Sequence, residues 1–137
     1  MLLAAITKTK GTMLVLSVIG LLVALYLTIY HYSGVPLYCP NSGAVDCQLV
    51  LNSAYSMLLG IPIAAYGLAF FAIEIAIVLH FDKEQMLLWN TIGLGFVFYL
   101  AYAEYMLGSI CLYCTTIHVI VVLLFLISAY LFAKREK

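Results

Sequence analysis

Long windows without a charged side chain constrain this sequence more than any other feature. Asp, Glu, Lys and Arg are absent from residues 11–45, 47–73, 85–103 and 105–133. Charged residues make up only 9% of the chain, against about 25% in soluble proteins, so the chain cannot cover itself with a water-facing surface. Its zero net charge also argues against a nucleic-acid partner, because such proteins carry a basic patch or stripe.

The windows predict four membrane-crossing helices, since each such helix needs about 20 apolar residues. We place them at about residues 12–31, 61–80, 86–107 and 112–133. The predicted fold class is an all-α integral membrane protein, in which a four-helix bundle forms a single domain over residues 1–137.

The basic residues predict the orientation of the bundle. All six would lie on one side of the membrane: Lys8, Lys10, Lys83, Lys134, Arg135 and Lys137. By the positive-inside rule, both termini and the 81–85 turn face the cytoplasm. We therefore predict a multi-pass protein of the cell membrane with the 33–60 connection outside. An endoplasmic-reticulum membrane, with the lumen in place of the outside, is the alternative.

The connection over residues 33–60 is the one long segment between the predicted helices. Gly34 and Pro36 mark a turn at its start. The stretch from Gln48 to Tyr55 is polar at its ends and apolar in its middle, which is typical of a short helix in the membrane interface. We expect this helix to cover the outer end of the bundle as a cap.

All four cysteines are predicted at the outer face. Cys39 and Cys47 lie in the long connection, whereas Cys111 and Cys114 form a Cys-x-x-Cys motif at the entry to the last helix. About 30 Å of helix, at 1.5 Å per residue, separates Cys114 from the cytoplasmic end of that helix. Both pairs then face the oxidising side of the membrane, where disulfides persist.

Three interpretations of the cysteines compete. Two structural disulfides would stabilise the connection. Four cysteines are a known set of zinc ligands, but the seven residues between Cys39 and Cys47 exceed the usual spacing of a zinc knuckle. The favoured interpretation is electron exchange between the two pairs through a mixed disulfide. A Cys-x-x-Cys at a helix N-terminus stabilises a thiolate, here at a depth that a lipid-soluble redox molecule can reach.

The pattern resembles that of the vitamin K epoxide reductase family. The shared features are Cys39 and Cys47 with seven residues between them, Ser53 six residues later, and Cys111-x-x-Cys114 followed by Thr115, Thr116 and His118. With the four-helix topology, the resemblance covers roughly residues 12–133. It implies a four-helix bundle around a quinone pocket, and an enzyme that transfers electrons from thiols to ubiquinone, menaquinone or vitamin K.

The resemblance also implies a role for each cysteine. Cys114 would react with the quinone, and Cys111 would be its partner. Cys47 would exchange with Cys111, and Cys39 would meet an external thioredoxin-like protein. The enzyme would thus support disulfide formation outside the membrane without a metal ion.

Two further positions concern the quinone. Ser53 occupies the position of the family's loop serine, near the bound ring. Members that act on vitamin K epoxide in animals have a tyrosine where this chain has His118, one turn beyond Cys114, and a histidine there could hydrogen-bond a quinone oxygen or transfer a proton. The chain also lacks the thioredoxin-like domain fused to many bacterial relatives, so the partner would be a separate protein. Both departures favour a prokaryotic quinone-linked enzyme over an epoxide reductase.

Other functions stay open from the sequence. The DsbB group is also a four-helix quinone reductase, but its Cys-x-x-Cys lies in the first outer loop, whereas the order of the pairs is reversed here. A non-enzymatic membrane subunit would have two locked structural disulfides of very low potential. A transporter is disfavoured, because apart from Glu74 and Glu104 the spans lack the ionisable residues that mark ion paths.

The remaining acidic residues and the tyrosines receive simpler predictions. Glu74 is predicted to be protonated or paired in a structural role. Glu104 is expected at the membrane interface, with proton delivery as the alternative, and Asp46 is expected to be a solvated turn residue. An interfacial belt should include most tyrosines of the outer end: Tyr26, Tyr30, Tyr32, Tyr38, Tyr102, Tyr105 and Tyr113.

Overall fold

A computed structural model describes residues 2–34, 36–39, 43 and 45–135 of the chain. The elements in chain order are α1 (Leu2–Ser33), α2 (Cys47–Leu51), a 3₁₀ turn (Ala54–Ser56), β1 (Met57–Leu58), β2 (Ile61–Pro62), α3 (Ile63–His80), α4 (Lys83–Leu107) and α5 (Leu112–Arg135). The two short strands pair antiparallel, with Met57 opposite Pro62. Four helices, α1, α3, α4 and α5, are long and apolar enough to cross a membrane. This confirms the predicted all-α membrane bundle.

The helix ends follow from local capping. α1 begins at Leu2, upstream of the predicted start, and within it the hydroxyls of Thr9 and Thr12 donate to carbonyls four residues earlier, at 2.8 and 3.0 Å. Their side chains are therefore satisfied within the helix. α4 begins at Lys83 because Oδ1 of Asp82 accepts the N–H groups of Glu84 and Gln85, at 3.0 and 3.2 Å, as an N-cap residue does.

Small residues allow α1 and α3 to pack closely. A Cβ at Gly20 of α1 would come within 2.4 Å of the buried Phe71 ring of α3. A Cβ at Gly67 of α3 would be 3.6 Å from Cβ of Ala24. Small residues at a helix interface let the backbones approach, which is the main source of packing energy in a membrane. The α1–α3 contact therefore depends on glycine at position 20.

Aromatic side chains join α3 to α4. The rings of Phe70 and Trp89 are stacked with centroids 5.3 Å apart, and Nε1–H of Trp89 donates to the carbonyl of Phe70 at 3.2 Å. Gly93 leaves room for the Phe70 ring, because a Cβ there would lie 2.6 Å from it. The two helices thus meet through large rings rather than through close backbones.

A polar cluster lies inside the bundle. The Asn90 amide donates to Oε1 of Glu74 at 3.0 Å and to Oγ of Ser128 at 2.9 Å, and all three residues are fully buried. The predicted structural pairing of Glu74 is thereby confirmed. Within the described residues, Oε2 of Glu74 and Oδ1 of Asn90 have no hydrogen-bond partner. A proton on Oε2 of Glu74 would supply the donor that this acid–amide pair needs.

Replacing Gly20 by Ala should destabilise the bundle. The added methyl group would meet the buried Phe71 ring, and overpacking of this kind costs about 1–3 kcal/mol. Thermal unfolding in detergent should therefore show a lower midpoint for Gly20→Ala. The control is Gly95→Ala in α4, where nothing lies within 4 Å of the added methyl group. Equal stability of the two variants would contradict the packing argument.

Candidate functional site

A short helix covers one end of the bundle, as the sequence predicted. α2 is five residues long, and the 3₁₀ turn follows it. Asp46, expected to be a solvated turn residue, instead caps α2, because its Oδ1 accepts the N–H of Leu49 at 3.0 Å. Cys47 and Val50 form the buried face of α2. We call residues 36–39 and 45–62 the cap segment, and the end of the bundle that it covers the cysteine end.

Two contacts fix the cap segment to the start of α5. The N–H of Asp46 donates to the carbonyl of Ile110 at 3.0 Å, next to a parallel bridge between Val45 and Ile110. The Tyr113 hydroxyl donates to the carbonyl of Tyr38. The first contact joins the residue before Cys47 to the residue before Cys111, and the second joins the Cys-x-x-Cys motif to the residue before Cys39.

The four predicted cysteines lie together at the cysteine end. Cys39 and Cys47 form a disulfide, whereas Cys111 and Cys114 are free thiols. All four belong to one apolar cluster, in which Cys47 and Cys111 are fully buried. A disulfide-bonded pair cannot supply thiolate ligands, so this state does not fit the four-cysteine zinc alternative.

Cys111 occupies the capping position of α5. Its sulfur faces the N–H of Cys114 at 3.4 Å, and its carbonyl accepts the N–H and hydroxyl of Thr115 at 2.9 and 2.8 Å. The hydrogen bond with Cys114 lowers the pKa of the Cys111 thiol, and nearby backbone N–H groups act in the same direction against burial. The thiolate favoured by the helix N-terminus is therefore at Cys111.

A cavity of about 250 Å³ lies directly beneath the cap segment, between α3, α4 and α5. Among the predicted site residues, Ser53, Cys114 and His118 line it. Cys111 does not, because it lies on the other side of Cys114 and packs towards Cys47. Most of the wall is apolar, with Phe70, Phe96 and Val121 among its members. The Cys-x-x-Cys motif thus has one sulfur at the cavity and the other at the cap segment.

Ser53 and His118 are polar residues of the cavity wall. Oγ of Ser53 donates to the carbonyl of Val50 at 2.7 Å, so this hydroxyl can only accept a further hydrogen bond. Nε2 of His118 is buried and lacks a partner within the described residues. Ligand pockets typically combine apolar walls with a few such placed polar groups.

Glu104, expected at the membrane interface, instead lines the cavity. Its Oε1 is buried and has no partner among the residues that the structure describes. The physical reason is the short connection from α4 to α5, which turns the last turn of α4 towards Cys111. That connection is visible in the sequence and is the signal that could have placed Glu104 at the site.

The tyrosines divide between the lipid-facing surface and the cavity. Tyr32, Tyr38, Tyr102 and Tyr105 are exposed, as a belt would be. Tyr30 lines the cavity instead. Two tyrosines that the sequence did not single out, Tyr55 and Tyr66, line it as well, and the Tyr66 hydroxyl donates to the carbonyl of Leu58 at 3.0 Å.

Replacing Tyr113 by Phe should loosen the cap segment around Cys39. The change removes the hydrogen bond to the Tyr38 carbonyl, which is worth about 1 kcal/mol, or roughly fivefold in an opening equilibrium. Hydrogen-exchange mass spectrometry should show faster exchange in a peptide covering residues 36–39. Tyr105→Phe is the control, since the Tyr105 side chain is 82% exposed. Unchanged exchange in Tyr113→Phe would mean that this contact does not hold the segment.

Comparison with known proteins agrees with the cysteine pattern. A sequence model of the vitamin K epoxide reductase family matches residues 12–129, which is most of the chain. No curated protein matches the chain.

Proposed function

The chain belongs to the vitamin K epoxide reductase family, and we propose that it oxidises the thiols of a thioredoxin-like protein and reduces a quinone in the membrane. Family membership makes it a membrane oxidoreductase. The observation that supports the finer proposal is the division of the Cys-x-x-Cys motif. Cys114 lines the cavity, whereas Cys111 does not line it and is fully buried in the cluster that contains Cys47. Electrons can therefore enter at the cap segment and leave at the cavity.

The proposed electron path has two thiol–disulfide exchanges. Thiols of the partner reduce the Cys39–Cys47 disulfide, with Cys39, the less buried of the two, as the point of attack. The Cys47 thiolate then reduces a Cys111–Cys114 disulfide by attack on Cys111. This restores the state seen in the structure, with a disulfide in the cap segment and two thiols beside the cavity.

The quinone is the substrate of the last step. Two electrons and two protons leave the Cys111 and Cys114 thiols, a disulfide forms between the sulfurs, and the quinone becomes a hydroquinone. The cavity suits such a molecule, because its wall is mostly apolar and includes Cys114 and a few polar side chains. Ile73 and Ile92 line the α3–α4 side and are also partly exposed, so an isoprenoid tail can extend there into the lipid. Ubiquinone, menaquinone and vitamin K all combine a quinone ring with an apolar isoprenoid-type tail.

Ser53 and His118 are proposed to orient the ring. The unpartnered Nε2 of His118 can hydrogen-bond a quinone oxygen, in the position where animal epoxide reductases have tyrosine. Oγ of Ser53 donates a hydrogen bond to the Val50 carbonyl and can accept a hydrogen bond from the hydroquinone product. These contacts favour a quinone rather than an epoxide as substrate.

Replacing Cys114 by Ala should abolish quinone reduction. The purified protein in detergent, without oxygen and with dithiothreitol as reductant, should reduce a short-chain quinone, as followed by ultraviolet absorbance. Val119→Ala, on an exposed position of the same helix, should keep wild-type turnover. Wild-type turnover in Cys114→Ala would refute the assigned role, and no turnover of wild type with several quinones would favour two structural disulfides.

Replacing Cys39 by Ala should stop electron transfer from the partner protein while quinone reduction by a small dithiol continues. Turnover driven by a thioredoxin-like protein should fall to background, because the cap disulfide that receives its electrons is gone. Turnover driven by dithiothreitol should persist, since a small dithiol can reduce the Cys111–Cys114 pair directly. Equal loss with both reductants would contradict this division of roles.

The basic residues should place the cysteine end outside the cytoplasm. Green fluorescent protein fused at the C-terminus should fluoresce, and alkaline phosphatase at the same position should be inactive. The opposite pattern would reverse the proposed orientation in the cell membrane.

A further inference from the structure

Glu104 lies beside the two free thiols at the closed end of the cavity. α4 ends at Leu107, and Gly108 adopts the left-handed conformation, at φ 69°, that turns the chain back. The N–H of Ser109 returns to the Glu104 carbonyl at 3.3 Å. This turn brings the Glu104 carboxyl close to the backbone N–H of Cys111, and within electrostatic reach of the Cys111 and Cys114 thiols.

Glu104 differs from Glu74 in its hydrogen bonds. Within the described residues, the buried side-chain atoms without a partner are Glu74 Oε2, Asn90 Oδ1, Glu104 Oε1 and His118 Nε2. The first two belong to one hydrogen-bonded pair. The other two both line the cavity. A buried polar atom without a partner is costly, and here both such atoms belong to residues that line the proposed substrate site.

We propose that Glu104 is the group that carries a proton from the thiol pair to the substrate oxygen. The inference rests on the proposed function and adds a proton carrier to it. One S–H proton passes to the Glu104 carboxylate and then to the nearer quinone oxygen, and the other thiol proton reaches the second oxygen. Both S–H bonds break, the Cys111–Cys114 bond forms, and the two electrons reduce the quinone. No further oxidant or reductant enters the balance.

The position of Glu104 suits this role better than that of His118. Glu104 is next to Cys111 as well as Cys114, whereas His118 lies one turn further along α5, beyond Cys114. His118 is therefore placed for the far oxygen and Glu104 for the thiols. The titratable groups that share the cavity with Glu104 are Tyr30, His31, Tyr55, Tyr66, Cys114 and His118.

The test compares Glu104→Gln with Glu84→Gln in the full chain. Both acids are in α4, and Glu84 is exposed in its first turn, at the other end of the helix. Quinone reduction driven by dithiothreitol is measured between about pH 5 and pH 9, with Cys114→Ala in parallel. General acid–base groups contribute about 100-fold or more, so kcat of Glu104→Gln should fall by about that factor. Glu84→Gln should match the wild type, and Glu104→Asp, which keeps an acid, should recover part of the loss.

A second readout needs no quinone. The Cys114 hydrogen bond lowers the pKa of the Cys111 thiol, and the Glu104 carboxylate opposes this effect, so Glu104→Gln should let the thiolate form at lower pH. Ultraviolet absorbance of the thiolate, titrated in the fully reduced protein and corrected with Cys111→Ala, should show this shift. A merely structural role of Glu104 would lower kcat without moving the titration.

The outcomes separate the proton carrier from the proposed function. If Glu104→Gln keeps the wild-type kcat and pH profile while Cys114→Ala is inactive, the carrier role is overturned and the function stands. If kcat falls in both Glu104 variants and the thiolate titration does not move, the carrier role is likewise overturned. If the wild type reduces no quinone, the proposed function is wrong. If the thiolate titration of Glu104→Gln then also matches that of the wild type, Glu104 does not act on the thiols either. Loss in Glu104→Gln, partial recovery in Glu104→Asp and a shifted titration support the proposal.

Discussion

The close approach of α1 and α3 is the contact on which the rest of the architecture depends. Gly20 lets the Phe71 ring lie directly against the α1 backbone, and Gly67 and Ala24 continue the same small-residue interface. The other side of α3 meets α4 through the Phe70 and Trp89 rings and through the hydrogen bond between Glu74 and Asn90. Large rings keep two backbones apart, whereas glycine lets them meet. Together with α1, α5 and the cap segment, α3 and α4 enclose the cavity.

The sulfur positions depend on two short pieces of backbone. The connection after Gly108 turns α4 directly into α5, so Cys111 becomes the residue that caps α5. The hydrogen bond from Asp46 to the Ile110 carbonyl then places Cys47 and Cys111 at matching positions in two adjacent segments. Neither contact involves a cysteine side chain. The backbone therefore holds the exchanging pairs together whichever of them is oxidised.

Properties set by composition were predictable, and properties set by packing were not. Charge-free windows specify four membrane helices because lipid cannot satisfy exposed polar groups, and the cysteine pattern indicated the family. The short connection between α4 and α5 was visible in the sequence, but the direction of the Glu104 side chain also depends on how α4 packs against α5, which no local pattern encodes. Asp46 was misplaced for a similar reason: a carboxylate before a helix is a cap only if the helix starts at the next residue. The fit of Gly20 to Phe71 joins distant parts of the chain, which no local pattern encodes.

The surroundings of Glu74 and Glu104 explain why only Glu104 is proposed to serve the chemistry. In the proposed reaction, moving two electrons into an apolar cavity without protons would leave charge where it is poorly solvated, so a proton carrier is needed where the electrons enter. Glu104 is at that point, beside both thiols, with one oxygen unpartnered. Glu74 is engaged by Asn90, which also contacts Ser128, in a cluster that joins α3, α4 and α5. The same residue type therefore stabilises helix packing at one depth of the bundle and, beside the sulfur atoms, can couple the proton to the electron pair.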